Sequence, residues 1–187
     1  MTVKNNFYVL TGGPGSGKTT LIEQFRGMGY NCVSEAGRKI IKEQLALGGS
    51  ALPWLDATSY SELMLQSSIQ DYTRLSNEID LFFFDRGIPD ILGYVELINL
   101  SNKDVFVEAA ESFRYNSTIF ILPPWEDIYS TDAERKQNFE LAVQTYDAMK
   151  DVYNRLGYEL VEVPCLSVEA RTRFILDKIK NQLKVEK

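Results

Sequence analysis

The stretch "LTGGPGSGKTTL", Leu10 to Leu21, limits what this chain can fold into more than any other segment. Gly12 to Thr19 fits G-x-x-x-x-G-K-[ST] without a departure, with an apolar strand pattern before it and a helical pattern after it. Each residue type has a physical reason. The glycines permit positive φ, so successive backbone N–H groups curl inward into a concave nest for anions. The helix starting near Gly17 points the positive end of its dipole at the same place. Nucleotide contacts are therefore expected at Gly12, Gly13, Pro14, Gly15, Ser16, Gly17, Lys18, Thr19 and Thr20. Lys18 is expected to reach the β- and γ-phosphates, and the Thr19 hydroxyl to ligate Mg²⁺. The ligand this pattern calls for is ATP or GTP with magnesium. The loop alone does not choose among a motor, a switch and a kinase.

The rest of the chain supplies a frame for such a loop. Five runs read as strands: Phe7–Thr11, Asn31–Glu35, Leu81–Asp85, Thr118–Leu122 and Tyr158–Val163. Most are nearly continuous apolar runs, the pattern of strands covered on both faces. Helical periods lie between them. From about Gln137 to Leu156 one stripe carries Phe139, Val143, Tyr146, Met149, Tyr153 and Leu156. From about Tyr60 to Asn77 another carries Leu65, Ile69, Tyr72 and Leu75. Ser167 reads as the N-cap of a last helix with Glu169 in its first turn, and Gly48, Gly49 and Pro53 mark a loop. Strands alternating with helices predict an α/β protein, a three-layer P-loop NTPase fold with a five-stranded parallel sheet. Residues 1–187 are expected to form one domain.

Composition excludes several classes. Twenty Lys and Arg against 26 Asp and Glu give a formal charge of −6, which argues against a broad nucleic-acid or anionic-membrane surface. There is no histidine, so a general base must be a carboxylate or something less usual. Cys32 and Cys165 form no CxxC and read as small buried core residues of a reducing compartment. No apolar run approaches a membrane span, the N-terminus does not read as a signal peptide, and the protein is expected to be cytoplasmic.

Three further segments bear on what the phosphate is for. In "FFFDRGIPD", Asp85 follows a buried strand at the Walker B position, where it would hold Mg²⁺ directly or through water. The alternative is a carboxylate capping the next helix. Arg86 comes immediately after. Strand-Asp-Arg is the pattern of nucleoside and nucleotide kinases, where the arginine clamps phosphate groups; mechanical ATPases more often show Asp-Glu. The second strand ends in Glu35, which a parallel sheet would bring beside Asp85 and Lys18. Glu35 then reads either as the base that accepts an acceptor hydroxyl's proton or as an exposed loop glutamate. Residues 123–139, "PPWEDIYSTDAERKQNF", read as a lid whose Arg135 or Lys136 would neutralise charge over the phosphates. A charged helix start explains Asp132 and Glu134 equally well. Trp125 reads as a base-stacking residue or as cover for the sheet edge. Arg171, Arg173 and Lys178 have the spacing of a solvated helix face.

Together, "TGGPGSGKTTL", "SEAGR", "FFDRGIPD", "LPPWEDIYSTDAERK", "YDAMKDVYNRLGYELVEVP" and "SVEARTRFIL" resemble a family of small AAA-like P-loop ATPases. That family includes the ribosylnicotinamide kinase domain of the bacterial NAD-biosynthesis regulator and an animal GTP- and phosphoinositide-binding protein that relocalises TRP channels. The resemblance runs from about Phe7 to Leu176. It implies a kinase-type strand order of 2-3-1-4-5, phosphate contacts at Gly13, Gly15, Ser16, Gly17, Lys18 and Thr19, magnesium near Asp85 and a lid centred on Arg135. That order puts Cys32 on one edge strand and Cys165 just beyond the other, too far apart for a disulfide. The acceptor stays open. Lys18, Glu35, Asp85, Arg86 and Arg135 are the expected catalytic set, moving the γ-phosphate to a small acceptor such as a nucleoside or nucleotide. The other reading is a nucleotide-dependent switch with slow hydrolysis and a protein or lipid partner.

Overall fold

Alternation along the first strand decides the layering. In β1 (Phe7–Gly12), Phe7 and Val9 enter one apolar cluster while Tyr8 and Leu10 enter another on the opposite face, because successive strand side chains point to opposite sides. The computed structural model describes residues 3–129 and 139–185. Its sheet holds β1, β2 (Asn31–Val33), β3 (Phe82–Asp85), β4 (Thr118–Leu122) and β5 (Glu159–Glu162), all parallel, in the order β2-β3-β1-β4-β5. This is the α/β architecture and strand order expected from the sequence.

The three central strands are buried throughout. The two edges are not, and they are shorter than their apolar runs suggested. An edge strand bonds to one neighbour only, so pairing stops where that neighbour's register ends. For β2 the ladder closes at Val33 opposite Phe84, which leaves Ser34 and Glu35 free to turn over the sheet's C-terminal end.

Helices α1 (Lys18–Gly27) and α7 (Val168–Val185) cover one face, with Leu21, Phe25, Ile175 and Ile179 packed on Tyr8, Phe83 and Phe120. Phe25 stacks on Phe83 at 3.9 Å between ring centroids, and each such buried side chain stabilises the fold by roughly 1.5–3 kcal/mol. The other face carries α2 (Ala36–Leu47), α3 (Ala57–Leu75), α4 (Ile88–Leu97), α5 (Asp104–Ser112) and α6 (Phe139–Arg155). Leu65, Tyr72 and Leu75 of the α3 stripe are buried, as are Tyr146, Met149 and Tyr153 of the α6 stripe. Asp56 caps α3 by accepting the Ser59 N–H at 3.0 Å, and the Ser167 hydroxyl accepts from Ala170 at the start of α7. Cys32 and Cys165 are both free, but Cys32 is only partly buried on the edge strand and Cys165 is exposed beyond β5, so neither is the buried core residue expected. Among the described residues, no helix is long and apolar enough to cross a membrane.

Candidate active site

All five strands run the same way, so the loops leaving their C-terminal ends gather at one rim. There the β1–α1 loop bends through three left-handed glycines, Gly12, Gly15 and Gly17, at φ +127°, +74° and +86°. Gly13 is needed for a different reason. A Cβ there would sit 2.2 Å from the Ala142 carbonyl oxygen, so the loop lies directly against the backbone of α6. The Ser16 hydroxyl donates to the Gly13 carbonyl at 2.9 Å and holds the loop closed. The Lys18 ammonium lies inside the loop and donates to the Gly12 carbonyl at 3.0 Å, the Gly13 carbonyl at 2.6 Å and the Ser16 hydroxyl at 3.2 Å. Burial, and then the Arg86 cation, lower its pKa to about 7, against the pull of Asp85, Glu35 and Asp90.

Asp85 ends β3 and is 6 % exposed. Burial, and then the Glu35 charge, push its carboxyl up to about 6, although Lys18 and Arg86 oppose the shift. Its Oδ1 is buried with no hydrogen-bond partner among the described residues. An orphaned carboxylate oxygen is costly unless a cation satisfies it, and Asp85 shares an open pocket of about 400 Å³ with Thr19 and Glu35. A hard oxygen-seeking ion fits this donor set. Among the described residues no cluster of three or more His, Cys, Asp or Glu is placed to hold a metal. Mg²⁺ needs no such cage, because phosphate oxygens and water complete its coordination.

Arg86 ties the two carboxylate strands together. It adopts φ +73°, which non-glycine residues rarely do, and its N–H extends the ladder to the Leu10 carbonyl at 3.0 Å. From there Nε donates to Glu35 Oε1 at 3.1 Å, while Nη1 donates to the Gly12 carbonyl and to Asp90 Oδ1, each at 3.1 Å. Glu35 occupies the N-cap position of α2 and also lies 3.8 Å from Arg38. Lys18, Glu35, Asp85 and Arg86 thus meet at one rim.

Sequence reasoning missed Asp90. It is 3 % exposed and accepts from Thr11 Oγ1 at 2.5 Å, Arg86 Nη1, the Gly87 N–H at 2.9 Å and the Tyr153 hydroxyl at 2.7 Å. One carboxylate therefore caps α4, anchors α6 and fixes Arg86. The available signal was its spacing: three residues beyond Gly87, which precedes the helix at a capping position. Arg171 corrects the sequence reading. Arg173 and Lys178 are exposed, but Arg171 is 4 % exposed and donates to the Ser16 carbonyl at 3.3 Å. At about 100° per residue Arg173 stands about 200° round α7 from Arg171, so the three do not share one face, and Arg171 falls on the buried stripe of Ile175 and Ile179. Of the lid segment, the described part carries Trp125 and a 3₁₀ turn, Glu126–Ile128. Arg135 and Lys136 lie outside the described residues.

Comparison with known proteins adds the family. A family model described as "AAA domain" matches residues 7–171. No curated protein matches. Among solved structures, a deoxyadenosine kinase from M. mycoides with products dCMP and a flexible dCDP bound superimposes with a TM-score of 0.67 at 14% identity, over 94% of this chain and 99% of that one. A thymidylate kinase from Candida albicans gives 0.65 at 13% identity, over 96% and 92%. One from Ehrlichia chaffeensis gives 0.61 at 13% identity, over 95% and 99%. At such identities the likeness establishes the fold, and the family match spans most of the sequence. The protein belongs to the AAA domain family and has the fold of the P-loop nucleoside and nucleotide kinases.

Proposed function

We propose that this protein is a Mg²⁺-dependent phosphotransferase that moves the γ-phosphate of ATP or GTP to a small acceptor of nucleoside or nucleotide type. The observation that carries the reading is Arg86 bridging Glu35 to the phosphate loop, beside an orphaned Asp85 oxygen. A carboxylate held by an arginine at the strand ends supports the reading, because in a chain without histidine a carboxylate must take the acceptor hydroxyl's proton.

In this reading the loop N–H groups and Lys18 hold the triphosphate, with Lys18 exchanging loop carbonyls for phosphate oxygens. Thr19 and Asp85 hold the metal, which when bound offsets negative charge on the β- and γ-phosphates. Arg86 keeps Glu35 directed at the acceptor. Glu35 takes the proton as the acceptor oxygen bonds to the γ-phosphorus, and the bond to the β-phosphate oxygen breaks to release ADP or GDP. Arg135 is assigned to close over the transferring group. Rate then comes from positioning and charge stabilisation.

The test is ADP release from Mg-ATP with and without a mixed pool of nucleosides, nucleotides and ribosylnicotinamide, with Lys18→Ala as control. Pool-dependent release that is lost in the variant supports the proposal. If the pool leaves release unchanged, the acceptor-directed reading fails and a nucleotide-dependent switch takes its place.

A further inference from the structure

Ser34, between β2 and Glu35, has no part in the chemistry above, yet the sheet sets it beside Asp85. Parallel pairing holds Val33 opposite Phe84, so the next residues, Ser34 and Asp85, leave their strands as neighbours. Alternation gives both side chains the α1 side of the sheet. Two positions back, Phe83 stacks on Phe25 of α1, and the Cys32 thiol donates to the Ile22 carbonyl of the same helix at 3.5 Å. The hydroxyl itself shows the direction, because Arg26 Nη2 of α1 donates to Ser34 Oγ at 3.2 Å. Glu35, the next residue, turns to Arg86 at 3.1 Å. Thr19, Ser34 and Asp85 therefore line one pocket of about 400 Å³.

Mg²⁺ demands six oxygens and gives up water reluctantly, so a site with one or two protein oxygens keeps several waters. Those waters need acceptors, because a buried polar group left unpaired is costly. Ser34 has the capacity. A serine hydroxyl carries two lone pairs and one proton, and Arg26 uses one lone pair. We infer that Ser34 is a further positioning residue of the magnesium site, where its hydroxyl accepts a hydrogen bond from the ion's hydration water and fixes the shell that Thr19 and Asp85 begin. Neighbouring strands lie about 4.8 Å apart, which suits a link through one water better than direct ligation. Arg26 holds the hydroxyl from the opposite side and keeps it directed. Partners that orient a metal shell in this way set its affinity by about 10- to 100-fold. The inference rests on the metal- and nucleotide-binding reading above.

The experiment counts metal directly, apart from any turnover. Mn²⁺ is the probe, since its free form is read by electron paramagnetic resonance. It is titrated into the full chain with ADP or GDP, whichever the unmodified protein binds. Ser34→Ala is expected to weaken Mn²⁺ binding to the nucleotide complex by about tenfold or more, while nucleotide affinity in EDTA is unchanged. Ser34→Thr keeps the hydroxyl and is expected to retain the parental Mn²⁺ affinity. Arg26→Met is expected to change it far less than Ser34→Ala does. Thermal melts verify that all three variants fold. Parental Mn²⁺ affinity in Ser34→Ala would overturn the assignment. So would a loss in Arg26→Met equal to that in Ser34→Ala, which would make Ser34 an anchor for Arg26 and nothing more. In either case, with Mn²⁺ and nucleotide still bound by the unmodified protein, only this inference fails. If the unmodified protein binds nucleotide without Mn²⁺, the metal part of the proposed function fails with it; if it binds neither, the proposed function fails as a whole.

Discussion

Asp85→Asn should make the nucleotide-free protein more stable while removing the magnesium-dependent transfer proposed above. An aspartate titrates near 3.9 in an unfolded chain, and in the fold burial and Glu35 raise Asp85 to about 6. Between about pH 4 and 6 the native state holds a proton that the unfolded state has lost, so stability falls as pH rises through that window. Two pH units at about 1.4 kcal/mol each give a penalty of about 3 kcal/mol at neutral pH. That figure is already net of the favourable pull of Lys18 and Arg86. An asparagine still buries an unpaired amide, which costs about 1 kcal/mol, leaving a gain of about 2 kcal/mol. For a chain of this size that is a rise in Tm of about 4–8 °C. Calorimetric melts of both proteins at pH 7.5 and 4 provide the assay, with the variant the more stable at the higher pH and slightly the less stable at the lower, where only the cost of its unpaired amide remains. A variant less stable than the parent at pH 7.5, or a gain independent of pH, would refute the reasoning. Magnesium with nucleotide should raise the Tm of the parent far more than that of the variant.

Other consequences follow from the same geometry. Asp90→Asn and Tyr153→Phe should loosen Arg86 and cut transfer by about tenfold or more, with Mg-ATP affinity nearly unchanged; loss of both in parallel would mean that Asp90 serves the loop instead. Gly13→Ala should cost about 2 kcal/mol or more because α6 must move away from the loop. Gly27→Ala, where a Cβ meets nothing within 4 Å, should stabilise by about 0.5–1 kcal/mol in denaturant unfolding. At pH 8 Lys18, lowered to about 7, is mostly neutral in the free protein, and phosphate raises its pKa, so Mg-ATP binding should take up a proton. Below pH 6 the metal should release one from Asp85. Calorimetry in buffers of different ionisation enthalpy reads both signs.

The phosphate loop was legible because its chemistry is local: glycines that allow the turn, a lysine and a threonine, all within eight residues. Strand order came from the resemblance and stands in the structure. Glu35 and Asp85 were legible as strand-end carboxylates once the sheet was taken to be parallel. What escaped was long-range. Arg171 reaches Ser16 across 155 residues; its i, i+4, i+8 spacing with Ile175 and Ile179 marked the buried face, but its partner in the β1–α1 loop could not be read from the period. The hydroxyl of Tyr153 reads as one more member of an apolar stripe until α6 docks and meets Asp90 63 residues away. Arg86 gave no hint of its left-handed backbone, because that conformation is imposed by the partners it bridges. The edge strands were overestimated because an apolar run does not say how far its neighbour extends.

The central claim is that a phosphoryl group leaves the nucleotide for an acceptor oxygen served by Glu35. The most direct measurement follows the label from γ-³²P-ATP and Mg²⁺ with the acceptor pool, using the unmodified protein and Glu35→Gln. The account predicts a labelled organic phosphate that forms with the unmodified protein and nearly disappears with the variant, while Mg-ATP affinity is retained. Label recovered only as inorganic phosphate, at a rate indifferent to the pool and to Glu35, would contradict it.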